Sequence, residues 1–171
     1  VYKRQVMGEL PIETEVLVIG GGPGGYAAAF RAADLGLDVT LVSDEEHLGG
    51  VCLLRGCIPS KVLLELAGLR LAARGAAEHG LRFGEPELDL EALRHWKGEV
   101  VGRLSGGLDA LCKKRGIQRI QGRARFSGPN KVHLDNSETP SITFRHAIIA
   151  TGSRPKSLPD IDIAPDSRIM D

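Results

Sequence analysis

Cys52 and Cys57 stand with four residues between them in the run Gly49-Gly50-Val51-Cys52-Leu53-Leu54-Arg55-Gly56-Cys57-Ile58-Pro59-Ser60-Lys61. Thiols so spaced offer three chemistries: a reversible disulfide, half of a zinc site, or two unrelated buried thiols. A zinc centre takes four ligands, and no second Cys or His pair of matching spacing is present to complete it. In a regular helix, positions i and i+5 lie roughly 7.5 Å apart along the axis. A disulfide needs its Cα atoms within about 4.4–6.8 Å. If the two cysteines pair, the segment must bend, and Gly49, Gly50 and Gly56 supply the backbone freedom. Pro59 suits a first helical turn, so helix resumes near Ile58. The peptide dipoles at that N-terminus favour a thiolate on Cys57. A bond closing so short a loop removes little chain entropy, which makes it a poor staple. Redox chemistry is the favoured reading. Lys61, one turn beyond Cys57 on the same helical face, adds a cation near the thiolate; its plain alternative is a solvated lysine.

A second cluster of special residues is Gly20-Gly21-Gly22-Pro23-Gly24-Gly25. Three glycines spaced as Gly20, Gly22 and Gly25 let a backbone approach a pyrophosphate, provided that a strand precedes them and a helix comes after. Both conditions are met by the residues themselves. Glu15–Ile19 is a short apolar run, the mark of a strand buried on both faces, and an alanine-rich helix runs from Tyr26 to about Leu35. Gly36 ends that helix, and Asp38–Val42 is the second strand of a βαβ unit. A glycine-rich turn made only for packing is the alternative. The acidic residue that such units place about 20 positions on, at the ribose, is replaced by Ser43 and then Asp44. Either Ser43 bonds the ribose weakly or Asp44 swings in; strand alternation favours Ser43 near the ribose with Asp44 facing solvent.

The elements that must hold these two clusters can be read in chain order. A helix is expected from Pro59 to Glu78, stopped near Gly80, and Asp89 is the N-cap of a second long helix. That helix carries a buried stripe of Trp96, Val100, Leu104, Leu108 and Leu111. Short strands are expected at Ile117–Ile120, Ala124–Phe126, Val132–Leu134 and Ile142–Phe144, then a fully buried one at Ala147–Ala150 that leaves through Thr151-Gly152-Ser153. Cys112 reads as a structural thiol. The five histidines show no ligand spacing and no carboxylate partner.

Lysine plus arginine balances aspartate plus glutamate at 22 each, so no basic field points to nucleic acid. Aromatics at 4% are too few for base-stacking surfaces. No run of 18 apolar residues is present, which argues against a membrane span. Three cysteines without a repeating framework suggest a reducing compartment, and a cytoplasmic location is expected. Val1–Gln5 shows no pattern that ties it to the first strand, Met7 reads as a true start, and Pro155, Pro159 and Pro165 mark an exit linker. The chain is expected to be a fragment, with a tail at 1–14, one domain at 15–154 and a linker at 155–171.

Together, Gly-Gly-x-Cys-(four residues)-Cys-x-Pro-x-Lys, the glycine loop and Ala150-Thr151-Gly152-Ser153-Arg154-Pro155 resemble the flavoprotein disulfide reductases from about Glu15 to Asp171. The form Cys57-Ile58-Pro59-Ser60-Lys61 is similar to the lipoamide branch; glutathione reductases usually carry a lysine where Ser60 stands. The fold implied is α/β: a Rossmann-like FAD-binding domain with a parallel sheet, a helix pair and an inserted antiparallel strand meander. The resemblance implies that Gly20, Gly22, Pro23 and Gly25 bind FAD, with Ser43 and Asp44 at its ribose. It also implies that Gly50, Val51 and Cys52 line the cofactor and that Cys57 lies against the isoalloxazine ring. Lys61 would sit near the flavin N5 edge, Ala124 on the adenine side, and Thr151 and Gly152 near the domain exit. Cys52 becomes the interchange thiol, oxidising protein-bound dihydrolipoamide, with hydride passing to NAD+. No metal is implied. The partners implied are the lipoyl domains of 2-oxo acid dehydrogenase complexes and a second copy of the full-length protein. The NAD domain and a C-terminal His-Glu pair of that family lie outside these residues. Two departures stand out: Ser43 replaces the usual ribose-binding glutamate, and Leu54-Arg55 replaces Asn-Val. The alternatives are a related reductase acting on glutathione or mercuric ion, and a non-catalytic FAD-binding redox sensor.

Overall fold

The computed structural model describes residues 12–153 and 156. Elements β1 (Ile12–Ile19), α1 (Pro23–Asp34) and β2 (Val39–Ser43) form the expected βαβ unit. After them come α2 (Gly50–Leu54), α3 (Cys57–Gly75), a 3-10 turn at Ala76–His79 and α4 (Leu90–Lys114). Strands β3 (Gln118–Gln121), β4 (Arg123–Gly128), β5 (Lys131–Asp135) and β6 (Ser141–Ile149) complete a six-stranded sheet in the order β3-β2-β1-β6-β5-β4. The pairs β1–β2, β2–β3 and β1–β6 are parallel, while β4–β5 and β5–β6 are antiparallel. This is an α/β fold with a parallel sheet and an attached antiparallel meander.

Alternation along β1 explains its continuous apolar run. Val16 and Val18 face Ala29 and Ala32 of α1, with Cys112 of α4 in the same cluster. Leu17 and Ile19 face the other way, against Val132 and Leu134 of β5 and against Ile142 and Phe144. Helices thus cover one face of the parallel strands and the meander covers the other. Asp89 caps α4 as expected, its Oδ1 accepting the Glu91 and Ala92 amides at 2.9 and 3.0 Å.

Several expectations need correction. The strand expected at Ile117–Ile120 is Gln118–Gln121, running parallel to β2 at the edge of the main sheet. Ile142–Phe144 and Ala147–Ile149 are one strand: β6 pairs with β5 through Ser141–Thr143 and with β1 along its whole length. Its second half is not buried, for Arg145 to Ile149 are exposed and Ile149 is 65% accessible. The inward face of α4 matches the expected stripe only in part: Val100 and Leu108 are half-buried as expected. Ser105 and Cys112 are buried, with Leu108 packed between them, while Trp96, Leu104 and Leu111 are exposed. The first strand also begins earlier than expected, at Ile12. The tail before Ile12 and most of the proline-rich exit lie outside the described residues.

Candidate functional site

Three strand ends meet at the glycine loop. The Gly20 amide donates to the Val42 carbonyl at 2.8 Å, and the Ala150 amide donates to the Ile19 carbonyl at 2.8 Å. β1 lies between β2 and β6, so the order of strands reverses across it, the crevice where α/β sheets bind ligands. The glycines do different work. A Cβ at Gly20 would overlap the Ala150 carbonyl, and Gly20 also has φ +116°. A Cβ at Gly25 would overlap the Gly20 carbonyl oxygen, so Gly25 lets α1 pack onto the loop. At Gly22 a Cβ would meet only the Gly50 Cα, at 3.8 Å. Nothing in the protein crowds Gly22. Helix α1 starts there with no side-chain cap and no acidic residue in its first turn. Its unpaired amides and dipole present positive potential to an anion. The uncrowded backbone and uncapped amides suit an anion such as a pyrophosphate.

The disulfide is present between Cys52 and Cys57, with their Cα atoms 4.6 Å apart, which removes both as zinc ligands. The bend that the pairing demands is a break between two helices. Helix α2 ends at Leu54, Arg55 and Gly56 leave helical geometry, and α3 begins at Cys57. Gly49 (φ +138°) and Gly50 (φ +58°) take left-handed backbone as expected. Gly56 does not: its φ is −127°, and it lacks a side chain because a Cβ would come 2.9 Å from the Val51 carbonyl oxygen. Ser60 closes the break, its Oγ donating to the Gly56 carbonyl at 2.8 Å. The two clusters touch. A Cβ on Gly50 would lie 2.7 Å from the Gly22 Cα, and the Gly49 amide donates to the Gly21 carbonyl at 2.9 Å.

Ser43 is turned in and 6% exposed, its Oγ accepting the Glu45 amide at 3.3 Å; Asp44 is exposed. Gly122 donates its amide to the Ser43 carbonyl at 2.9 Å, which brings Ala124 near the same end of β2. Val51, Cys57 and Lys61 are exposed, Cys52 is half-buried, and Thr151 and Gly152 are exposed just past β6. Two histidines have carboxylate neighbours, but on exposed surfaces away from the cysteines. His95 Nε2 lies 3.5 Å from Glu99 and His133 Nε2 lies 3.8 Å from Asp135, on α4 and β5 rather than beside the cysteines. Burial pushes the Cys112 thiol up, with the Asp109 carboxylate adding to it. Among the described residues no group of three His, Cys, Asp or Glu could hold a metal, and no helix is long and apolar enough to cross a membrane.

Sequence reasoning missed the residues that brace the site from a distance. Arg55, between the cysteines, pairs with Glu45 on the loop after β2. Ser105 donates to the Leu48 carbonyl at 2.8 Å, and Arg119 reaches the carbonyls of Glu45 and Glu46. The only trace in the sequence is the spacing of Ser105, Leu108 and Cys112, which share one face of α4.

Residues 14–167 match the family model described as pyridine nucleotide-disulphide oxidoreductase. A dihydrolipoyl dehydrogenase of Vibrio cholerae is 47% identical over 161 residues, covering 94% of this chain and 34% of that protein. One of Halobacterium salinarum is 43% identical over 165 residues, covering 94% and 34%. A third, of Geobacillus stearothermophilus, is 43% identical over 167 residues, covering 97% and 35%. The chain spans about a third of the length of these curated relatives. With a glycine cradle seated against a bridged Cys52–Cys57 pair and a match over most of its length, the chain belongs to the pyridine nucleotide-disulphide oxidoreductase family.

Proposed function

We propose that this chain is the FAD-binding portion of a dihydrolipoyl dehydrogenase, oxidising protein-bound dihydrolipoamide through Cys52 and Cys57 with NAD+ as final acceptor. The observation that carries the reading is the backbone contact of Gly22 with Gly50, which seats a dinucleotide loop against the helix that bears the disulfide. Gly20, Gly22, Pro23 and Gly25 would hold the pyrophosphate, and Ser43, rather than exposed Asp44, the ribose. Gly50, Val51 and Cys52 would line the flavin side, with Lys61 at the ring edge. Ala124 would serve the adenine, and Thr151 and Gly152 the exit. Bound FAD would supply the hydride chemistry.

The chain's own work is sulfur exchange. A substrate thiolate attacks Cys52 Sγ, the Cys52–Cys57 bond breaks, and Cys57 leaves as a thiolate. The second substrate thiol loses its proton and displaces Cys52 from the mixed disulfide. The substrate departs oxidised, and the cysteine pair keeps both electrons. The start of α3 stabilises the leaving Cys57 thiolate. Cys57 is exposed and Cys52 half-buried in this chain, the reverse of the accessibility expected of an interchange thiol at Cys52; a bound flavin ring would cover Cys57. The whole protein would work as a cytoplasmic homodimer on lipoyl domains of 2-oxo acid dehydrogenase complexes, and NAD+ would bind residues outside this chain. The names of the relatives support the dihydrolipoyl dehydrogenase reading, and their greater length leaves residues outside this chain for NAD+. In the full-length protein, Cys52→Ser should leave a Cys57 thiolate facing oxidised flavin and produce a long-wavelength charge-transfer band. Colourless wild-type protein, or a band in Cys57→Ser alone, overturns the reading.

A further inference from the structure

The loop from Asp44 to Gly49 joins β2 to the disulfide helix and has no regular structure of its own. Carbonyls in such a loop ordinarily face water. Three of them are instead held by side chains from far along the chain. Ser105 of α4, itself 3% exposed, donates its hydroxyl to the Leu48 carbonyl at 2.8 Å across 57 residues. Arg119 of β3 donates from one guanidinium nitrogen to the carbonyls of Glu45 and Glu46, and from the other to Asp109 at 2.9 Å. A planar fork of five donors suits this three-way contact; an ammonium reproduces it only in part.

The same loop presses on the glycine loop. Leu48 is fully buried, and its side chain lies 2.9 Å from where a Cβ of Gly21 would stand, as does Ser43 Oγ. The Gly49 amide bonds the Gly21 carbonyl. Displacement of Glu45–Leu48 would therefore move Gly21 and open the corner between Ser43 and the glycine cradle. We propose that Arg119 and Ser105 are positioning residues for the adenosine end of the cofactor site, holding the Asp44–Gly49 loop in the shape that lets Ser43 and the glycine loop bind as one surface. The inference rests on the FAD reading above. Neither residue lies on a segment assigned to hold FAD, so cofactor affinity depends on α4 and β3.

The test uses the full-length protein stripped of flavin and titrated with FAD and with ADP, which carries the adenosine end alone. All titrations are run where circular dichroism shows the protein folded, so that loss of stability by itself does not alter affinity. Ser105→Ala should weaken FAD and ADP by about tenfold, the scale set by one lost hydrogen bond to a buried carbonyl, and Arg119→Met, whose bonds to Glu45 and Glu46 are part-buried and exposed, should weaken both by a smaller factor. Arg119→Lys should recover part of the loss. Unchanged affinities in both folded variants overturn the inference, as does a loss confined to FAD with ADP unaffected, or Arg119→Lys no better than Arg119→Met. If Arg119→Met does not fold, Ser105→Ala decides. Wild-type protein that binds neither ligand rejects the FAD reading itself, an outcome separate from wild-type binding with indifferent variants.

Discussion

Helices α1 and α3 both begin at the site, yet they are held in opposite ways. In α1, Gly25, Ala29 and Ala32 are buried, and the helix sits so close to the sheet that a single Cβ at Gly25 would not fit. In α3, nineteen residues bury only Val62, while Leu63, Leu64, Leu69 and Leu71 are exposed. Part of α3 lines an apolar groove of about 990 Å3 with Phe83, Leu88 and Leu93. Small residues thus fix α1 against the sheet, whereas α3 is tied through its bridged first residue and buried Val62 and presents leucines outward. An apolar helix is not thereby a core helix. The exposed leucines are the more informative set, because apolar patches of this kind are uncommon on isolated domains.

The largest effect expected on this contrast is at the glycines. Gly25→Ala should destabilise the domain by about 3 kcal/mol or more, since backbone must shift to admit the methyl group. Gly22→Val should leave folding nearly intact but give colourless full-length protein. Urea unfolding and flavin absorbance measure the two, and a yellow Gly22→Val protein would place the phosphates elsewhere. A smaller effect is expected at α4, where Asp89→Ala removes a cap that accepts two amides. It should cost about 1 kcal/mol in the same unfolding assay.

A weaker dependence is expected on pH. The buried Cys112 thiol has its pKa raised in the folded chain, first by burial and then by Asp109. The unfolded thiol ionises first, so stability is present below about pH 8.5 and falls as pH rises beyond it. Cys112→Ala should flatten the stability curve above about pH 8.5, measured by urea unfolding at a series of pH values. A curve of unchanged slope would show that the thiol does not contribute. The smallest effect is expected on α3: Leu71→Gln should change stability by less than about 0.5 kcal/mol, because Leu71 is 69% exposed. A loss as large as that at Gly25 would erase the contrast between the helices.

Local signals carried much of the site. The strand before Gly20, the N-cap at Asp89 and the bend that a Cys52–Cys57 bond requires are all set by residues within a few positions of one another. The direction of β3 is not, because Gln118-Arg119-Ile120-Gln121 has one buried side chain and its parallel pairing depends on β2. The union of two expected strands into β6 was hidden by Arg145 and His146, which are tolerated there because that half of the strand is exposed. The inward face of α4 bears Ser105 and Cys112 beside Leu108, and a stripe sought only among large apolar residues overlooks the serine and the cysteine. Arg119 could not be linked to Glu46 from sequence, since the contact spans 73 residues.

Strand β6 lies beside β1, the last described strand beside the first described one, with Ile12 registered on Ile142 and Ile19 on Ile149. Arg145 reaches Glu15 across 130 residues. During synthesis, the βαβ unit can form early, but one edge of its central strand stays open until almost the whole domain has left the ribosome. Pairings of such long sequence separation are slow to close and leave strand edges exposed meanwhile. Chain ends placed before Ile149 would therefore strand β1 as an edge, so the described sheet is closed around β1 by a late strand rather than grown outward from an early one.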